Sequence, residues 1–212
     1  MLPCCGAGTY GLQSLTIMLE RIRKNLAVEA QESPIPAGLT PAAVLFPLLF
    51  KDDKLHVLFT KRTQTVKAHK GQVSFPGGVR DHKDANLLST ALREANEEIG
   101  LSPNDVDIFG VLDPITTVTT GFIVYGFVGL IPYPYPFELN SREVAEILLV
   151  PLDFLANEKH WTKRSYHTHN QPFQAYFISY GNHRIWGATA RMLKIFFEKN
   201  GIEMEVKSAM ES

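Results

Sequence analysis

Apolar residues recur with two different periods along this chain, and each period predicts a different kind of element. Between Leu12 and Leu26 they return at threes and fours, which is typical of a helix with one buried face. Helices are likewise predicted at about residues 87–99 and 188–199. Shorter apolar runs predict strands at residues 42–49, 55–60, 106–112, 122–130, 147–150 and 175–180. Strands mixed with separated helices indicate one α/β domain.

Three segments show neither period. Residues 1–11 are rich in glycine and are predicted to be disordered or loosely packed, residues 31–41 are predicted to be a linker, and residues 157–172 are polar and predicted to be irregular. The domain division that follows is an N-terminal tail and helix over residues 1–35 and a main domain over residues 36–212. We expect the N-terminal helix to dock on the main domain, and a contact within a homodimer is the alternative.

Composition and charge narrow the classes of function. Of the 212 residues, 45% are hydrophobic and 20% are charged, which is typical of a soluble globular protein, and no apolar run is long enough to span a membrane. The formal net charge of −1 gives no general attraction to nucleic acid or to an acidic membrane, so an anionic ligand must be held by a local site. The only cysteines, Cys4 and Cys5, are adjacent and lack the spacing of a zinc site, which favours a reducing, cytoplasmic setting.

The stretch from Arg93 to Leu101 carries the strongest chemical signal. On a helix with about 100° per residue, Glu94, Glu97 and Glu98 share one sector about 100° wide, and the apolar residues occupy another. Like charges at this spacing repel each other, so a divalent cation bound by the carboxylates would stabilise the helix. Arg93 could pair with one of the acids and fix its rotamer. A solvated acidic face is the alternative interpretation.

A double glycine precedes this helix, and it completes a recognisable pattern. Gly77 and Gly78 allow the backbone to approach a phosphate or a metal closely. The segment from Gly78 to Leu101 resembles the Nudix box, and it matches every fixed position of the second half of that motif. The first half departs from the motif, because the spacer before Arg93 is one residue longer and lacks the usual glutamate. The acids nearest to that slot are Asp81 and Asp84.

The segment upstream, residues 58–78, resembles the signature of the coenzyme A pyrophosphatase branch of the Nudix family. The shared skeleton is Leu-x-Thr-x-Arg, a basic residue, a glycine and Phe-Pro-Gly-Gly. Lys67 stands where arginine is expected. Lysine keeps the positive charge but lacks the paired N–H donors of arginine, so its contact with a phosphate would be less directional. Further segments at residues 140–146 and 185–191 match the same branch, so the resemblance covers about residues 40–199.

This resemblance implies a fold, a reaction and a set of site residues. The fold would be the Nudix α/β/α sandwich, with a mixed β-sheet between helices. The reaction would be hydrolysis of coenzyme A to 3′-phosphoadenosine 5′-phosphate and 4′-phosphopantetheine, with Mg²⁺ or Mn²⁺ as cofactor. The implied catalytic residues are Arg93, Glu94, Glu97 and Glu98, and the implied metal ligands are the three glutamates with Gly78. The implied substrate contacts are Arg62, Lys67, His69, Gly77 and Gly78.

Two rival functions stay open at this point. One is a Nudix hydrolase acting on another nucleoside diphosphate derivative, such as ADP-ribose. The other is a Nudix-fold binding module without catalysis, against which the intact acids argue, because a binder needs no cluster of three carboxylates. The general base is also open, since a downstream acid such as Glu143 or Glu146 could share that task with the helix glutamates.

Overall fold

The structure is a computed structural model, and it describes residues 7–26, 35–64, 71–117, 120–167 and 172–208. The helices are α1 (Ala7–Leu26), α2 (Leu87–Ile99), α3 (Leu152–Leu155) and α4 (Ala188–Lys199). The strands are β1 (Thr40–Lys51), β2 (Lys54–Arg62), β3 (Val73–Ser74), β4 (Gly77–Val79), β5 (Asp107–Val111), β6 (Ile115–Thr116), β7 (Phe122–Leu130), β8 (Val144–Pro151), β9 (Trp161–His167), β10 (Pro172–Tyr180) and β11 (His183–Trp186). Within these ranges, no helix combines the length and the apolar character needed to cross a membrane.

Strand β1 organises the mixed sheet. It runs parallel to β7 from Thr40 to Leu48 and antiparallel to β2, to which it is joined by a tight turn at Asp52 and Asp53. These two residues have positive φ angles of 51° and 57°, a conformation that aspartate adopts more readily than most residues. β4 pairs with residues 42–44 of β1, so the double glycine lies against the middle of the sheet. β8 pairs along β2, and β3, β11, β10 and β9 continue the sheet beyond β2.

Residues of β1 alternate between two hydrophobic clusters, one on each face of the sheet. Leu45 and Leu49 belong to the cluster that contains the buried residues of α2, whereas Phe46 and Leu48 belong to the cluster that contains those of α1 and α4. Such alternation is expected of a strand that is covered on both faces. The predicted α/β/α sandwich with a mixed sheet is confirmed.

Helix α1 docks on the main domain through its C-terminal half. It begins at Ala7, earlier than predicted, so residues 7–11 are helical rather than disordered. Ile22 and Leu26 are buried in the same cluster as α4. Arg23 pairs with Asp107 at the start of β5. The predicted docking is confirmed, and the alternative homodimer contact stays a prediction.

Most of the remaining predicted elements match the structure to within three residues at each end, but one prediction is wrong. Residues 157–172, predicted to be irregular, contain β9, which pairs with β10 along its whole length. β9 is the last strand in the sheet order, and its described residues after Trp161 are polar or exposed. Because alternation of apolar residues is weak in such an edge strand, the local pattern does not reveal it.

We expect Leu26→Ala to lower the free energy of unfolding by about 2–4 kcal/mol, because it leaves a cavity where α1 meets the core. Ile17→Ala on the same helix is the control: Ile17 is 65% exposed, and the change should be below about 0.5 kcal/mol. The measurement is denaturant unfolding followed by circular dichroism. Equal effects of the two substitutions would contradict the docking.

The alternative homodimer contact has its own test. A wild-type thermal midpoint that rises with protein concentration would support the homodimer.

Candidate active site

Helix α2 carries the predicted acids, and hydrogen bonds fix both of its ends. At its start, the Asn86 side chain accepts from the backbone N–H of Ser89 at 2.8 Å, and the Ser89 hydroxyl accepts from the backbone N–H of Asn86 at 3.0 Å. This reciprocal pair is a capping box. At its end, Gly100 adopts a left-handed φ of 69° and donates its N–H to the carbonyl oxygen of Asn96. The direction in which the acids project is therefore set from both ends of the helix.

The three acids of α2 differ strongly in exposure. The side chain of Glu98 is only 4% exposed and that of Glu97 is 56% exposed, with Glu94 between them. Burial raises the pKa of Glu98 to about 8, and it also raises the pKa of Glu94, because water is excluded from both carboxylates. A charge on Glu98 therefore needs compensation from neighbouring groups.

Gly77 and Gly78 bring the backbone of β4 against two of these acids. Gly77 has a φ of 156°, and a Cβ added there would overlap the carbonyl oxygen of Ala43. A hydrogen bond from its backbone N–H lowers the pKa of Glu98, which partly offsets the effect of burial. A Cβ added at Gly78 would overlap the carboxyl group of Glu94. The missing side chain of Gly77 therefore allows β4 to lie against β1, and that of Gly78 allows Glu94 to approach the backbone of β4.

Arg93 connects the acids to the loop that precedes the helix. Its Nε and Nη2 donate to the two carboxylate oxygens of Asp84 at 2.9 and 3.0 Å. Its Nη1 lies 2.8 Å from Glu94 Oε1 and 3.2 Å from Glu97 Oε2. The hydrogen bond to Arg93 holds the pKa of Asp84 well below its usual range, and the same contact raises the pKa of Arg93. The sequence predicted that Arg93 could pair with one acid of the helix, and in the structure it contacts two of them, Glu94 and Glu97.

Asp84 is a site residue whose role the sequence left in doubt. Its side chain is 5% exposed, and it also accepts a hydrogen bond from the Thr90 hydroxyl at 2.8 Å. Asp81, the other acid near that slot, accepts instead from the backbone N–H of Lys83. The longer spacer therefore still brings an acid to Arg93, but from a different position in the loop. The sequence indicated that the spacer contains two aspartates, and the structure shows that Asp84 is the one that pairs with Arg93.

Arg62 faces the buried acid from the end of β2. Its Nη1 lies 3.6 Å from Glu98 Oε1, and its Nη2 lies 3.9 Å from Glu143 Oε2. Glu98 Oε2 and Arg62 Nε are both buried and have no hydrogen-bond partner. An unpaired buried carboxylate oxygen costs about 1–3 kcal/mol or more, so such an atom is suited to bind a ligand.

Two pairs of predicted site residues remain: Lys67 and His69, predicted to contact substrate, and the downstream acids Glu143 and Glu146. Lys67 and His69 lie outside the described residues, so their predicted substrate contacts stay predictions. Of the two downstream acids, Glu143 lies close enough to Glu98 and Glu94 to raise the pKa of both. Glu146 instead lies 2.7 Å from the Nζ of Lys61, which lowers the pKa of Glu146.

The positive charges that contact the acids of this cluster come from Arg62 and Arg93. Among the described residues, no group of three or more His, Cys, Asp or Glu side chains is arranged to enclose a metal ion. Arg93 contacts Glu94 and Glu97, and Arg62 approaches Glu98. The site therefore offers hard oxygen donors whose negative charge two guanidinium groups offset only in part, and such oxygen atoms can bind a divalent cation or orient a water molecule.

Comparison with known proteins identifies the family. The model of the NUDIX domain matches residues 39–171. An uncharacterized Nudix hydrolase, NudL of Photorhabdus laumondii, is 39% identical over 152 residues, which cover 72% of this chain and 80% of that protein. NudL of Cronobacter sakazakii is 37% identical over 153 residues, covering 72% and 79%. A solved structure, the NUDIX domain of Shewanella oneidensis NrtR complexed with ADP ribose, is 21% identical with a TM-score of 0.45, covering 58% of this chain and 80% of that one.

The matched segment contains the double glycine, the whole of α2 and the strand that ends at Arg62. The chain belongs to the Nudix hydrolase family. The resemblance to the Nudix box is therefore confirmed, whereas the coenzyme A branch and the roles of individual residues remain proposals.

We expect Asp84→Asn to lower the free energy of unfolding by about 2 kcal/mol, because it weakens two charge-assisted hydrogen bonds to Arg93. Asp81→Asn is the matched control and should change it by less than about 0.5 kcal/mol. Both are measured by denaturant unfolding at neutral pH and in acid.

The expected pH dependence follows from the lowered pKa of Asp84. A lowered pKa means that the stabilisation is present above the unfolded pKa of about 3.9 and declines as the pH falls below it. Wild type and Asp84→Asn should therefore converge in stability in acid. A difference that stays constant down to low pH would contradict a charge-based role for Asp84.

Proposed function

We propose that this protein is a metal-dependent pyrophosphohydrolase that cleaves coenzyme A or its acyl derivatives to 3′-phosphoadenosine 5′-phosphate and (acyl-)4′-phosphopantetheine. The observation that carries the proposal is the buried carboxylate of Glu98, which has one unpaired oxygen and lies beside Gly77 and Arg62. Burying a carboxylate lowers the stability of the fold, so a buried acid of this kind is expected to have a function such as binding a cation.

The chemistry of the residues present fits a divalent cation such as Mg²⁺ or Mn²⁺, although the described acids contact arginines and are not arranged to enclose an ion in this structure. The proposed ligands are the carboxylates of Glu94, Glu97 and Glu98 and the carbonyl oxygen of Gly78, which are the oxygen donors that hard cations prefer. The unpaired Glu98 Oε2 and the close approach of Gly78 to Glu94 support this fit. When bound, the cation would polarise the phosphoryl oxygens and lower the pKa of a coordinated water.

The protein's own residues would hold these ligands in position. Arg93, fixed by Asp84, contacts Glu94 and Glu97 together, so it keeps two like charges close despite their repulsion. Glu143 approaches the cluster from the start of β8, and it stands with the three helix glutamates as a candidate for the base that accepts the proton of the attacking water.

The choice of coenzyme A rests on the basic segment that precedes the double glycine. Coenzyme A carries a diphosphate and a ribose 3′-phosphate, and residues 61–70 contain a run of basic side chains in a chain of nearly neutral charge. In this proposal Arg62, Gly77 and Gly78 contact the diphosphate. The guanidinium of Arg62 lies close to Glu98 and Glu143. A bound diphosphate would therefore compete with these two carboxylates for Arg62.

Glu98→Gln is expected to lower kcat by roughly 100-fold, equivalent to about 3 kcal/mol, because glutamine keeps the shape of the side chain but loses the charge that would hold a cation. Glu198→Gln on α4, whose carboxylate contacts Lys194, is the control and should retain wild-type kcat within about two-fold. The assay is coenzyme A hydrolysis at saturating Mg²⁺. A folded Glu98→Gln protein with wild-type kcat would remove Glu98 from the site, and unchanged turnover in excess EDTA would exclude the metal.

A substrate panel analysed by mass spectrometry tests the choice of coenzyme A. We expect coenzyme A to have a higher kcat/KM than ADP-ribose or nucleoside triphosphates. Loss of the 3′-phosphate should lower kcat/KM by about 10-fold, because one charge-assisted contact is missing. A higher kcat/KM for ADP-ribose would overturn the coenzyme A branch and leave Nudix hydrolysis standing. If no compound were hydrolysed with Mg²⁺ or Mn²⁺, the binding module would be the better interpretation.

A further inference from the structure

A cavity of about 290 Å³ lies beside the candidate active site, between the end of β2 and strand β11. Its lining includes an exposed aromatic ring and several basic or polar side chains, among them Lys61, Gln72, His183, Arg184 and Trp186. Of these five residues, Lys61 belongs to the basic run described above, and the other four have no part in the proposed reaction. A mixed lining of this kind is typical of sites that bind a flat heterocycle together with an anionic group.

Trp186 supplies a rigid aromatic surface. Its side chain is 41% exposed, although tryptophan is among the largest apolar residues. It pairs directly with Phe177 across β11 and β10, and the two rings are stacked, with planes 9° apart and centroids 6.1 Å apart. Because its orientation is supported by the strand and by Phe177, the exposed ring can receive a purine with little further ordering.

Hydrogen-bond donors lie on the same strand as this ring. Arg184 is two residues before Trp186, and side chains two apart on a strand share one face. His183 Nδ1 is buried and has no hydrogen-bond partner, with the nearest carboxylate oxygen, on Glu146, 4.0 Å away. By the same alternation His183 lies on the other face of β11, with Ile185, so Arg184 is the donor that shares a face with the ring. A guanidinium group beside an exposed ring suits a phosphorylated sugar attached to a base.

The cavity and the candidate active site share the end of β2. Lys61 lines the cavity, and the next residue, Arg62, contacts Glu98. The backbone N–H of Arg62 donates to the carbonyl oxygen of Gln72 at 2.9 Å, and Gln72 also lines the cavity. A ligand with a diphosphate at Arg62 and a nucleoside beyond it can therefore reach the cavity.

We propose that this cavity is the subsite for the nucleotide end of the substrate, with the purine stacked on Trp186 and the ribose phosphate bound by Arg184. The inference rests on the proposed function, because a nucleoside diphosphate derivative is the ligand that carries such an end. It adds the residues that select an adenosine bearing a second phosphate.

The test is direct binding of adenosine 3′,5′-bisphosphate, measured by calorimetry in EDTA so that no turnover is involved. Trp186→Ala and Arg184→Gln should each weaken binding by about 10-fold or more, while Trp186→Phe, which keeps an aromatic ring, should retain most of it. Arg184→Gln should weaken the bisphosphate more than AMP, which lacks the 3′-phosphate. Wild-type affinity in both Trp186→Ala and Arg184→Gln would overturn the subsite.

Strand β9 offers matched controls. Tyr166, 40% exposed, is stacked on Phe173, and Arg164 lies 5.8 Å from the centre of the Phe177 ring, close to the 5.9 Å of Arg184. Neither Tyr166 nor Arg164 lines the cavity. Tyr166→Ala and Arg164→Gln should therefore bind the bisphosphate like the wild type. Equal losses in the control and cavity variants would overturn the subsite, because they would indicate a general effect of the sheet surface.

Tryptophan fluorescence gives an independent signal. The chain has two tryptophans, and Trp161 is buried with its Nε1 donating to the carbonyl oxygen of Leu155. A stacked adenine should therefore quench the emission of Trp186, and the quenching should disappear in Trp186→Phe. Quenching that persists in Trp186→Phe would place the ligand elsewhere and overturn the proposal.

Steady-state kinetics separate this subsite from the proposed function. If coenzyme A is the substrate, Trp186→Ala and Arg184→Gln should raise KM by about 10-fold with little change in kcat. Hydrolysis by both variants with wild-type KM would overturn the subsite while the function stands. A wild-type protein that hydrolyses no diphosphate but binds the bisphosphate through Trp186 would keep the subsite and overturn the hydrolase proposal.

Discussion

Holding a carboxylate charge away from water is the constraint on which the rest of this site depends. Glu98 sits between α2 and the sheet, and removal of water from such a group costs several kcal/mol. No single neighbour can offset that, because one hydrogen bond to a charged group contributes about 1.5–3 kcal/mol. The backbone of Gly77, on β4, and the guanidinium of Arg62, on β2, together offset part of this cost, and burial still raises the pKa of Glu98 to about 8. The central sheet positions both.

Arginine has two separate tasks in this arrangement. Arg93 is fixed by Asp84 within the loop and helix of the box, so it is a structural cation that sets the spacing of Glu94 and Glu97. Arg62 makes longer contacts and retains an unpaired Nε, so its guanidinium is the more readily available to a ligand. Arg93 thus maintains the geometry of the acids, and Arg62 is the arginine to which the proposed function gives the contact with substrate.

Local sequence predicted those features that depend on a single element. The helical period located α2, and the angular projection grouped Glu94, Glu97 and Glu98, because both follow from the geometry of one helix. The same projection could not show that Glu98 is buried and Glu97 exposed, since that depends on how α2 lies on β1 and β4.

The sequence could not predict contacts between separate elements, whether these are neighbours along the chain or far apart. The choice of Asp84 over Asp81 as the partner of Arg93 depends on the path of the loop. Pairing with β10 stabilises β9, whose own residues do not alternate between apolar and polar clearly enough to predict a strand. The approach of Arg62 to Glu98 requires β2 and α2 to meet in three dimensions, and the sequence predicted only that Arg62 would contact substrate.

The adjacent glycines of β4 differ in what prevents a larger residue at each position, and this difference bears on how the chain can evolve. At Gly77 the obstacle is backbone, the carbonyl of Ala43, which cannot move without disturbing the centre of the sheet. At Gly78 it is the end of a flexible side chain, Glu94. A methyl group at Gly78 could be accommodated by a change of rotamer, at the expense of the acid's position, whereas one at Gly77 would force two strands apart. A larger residue at Gly77 is therefore opposed by the packing of the sheet, and one at Gly78 by the position of the Glu94 side chain.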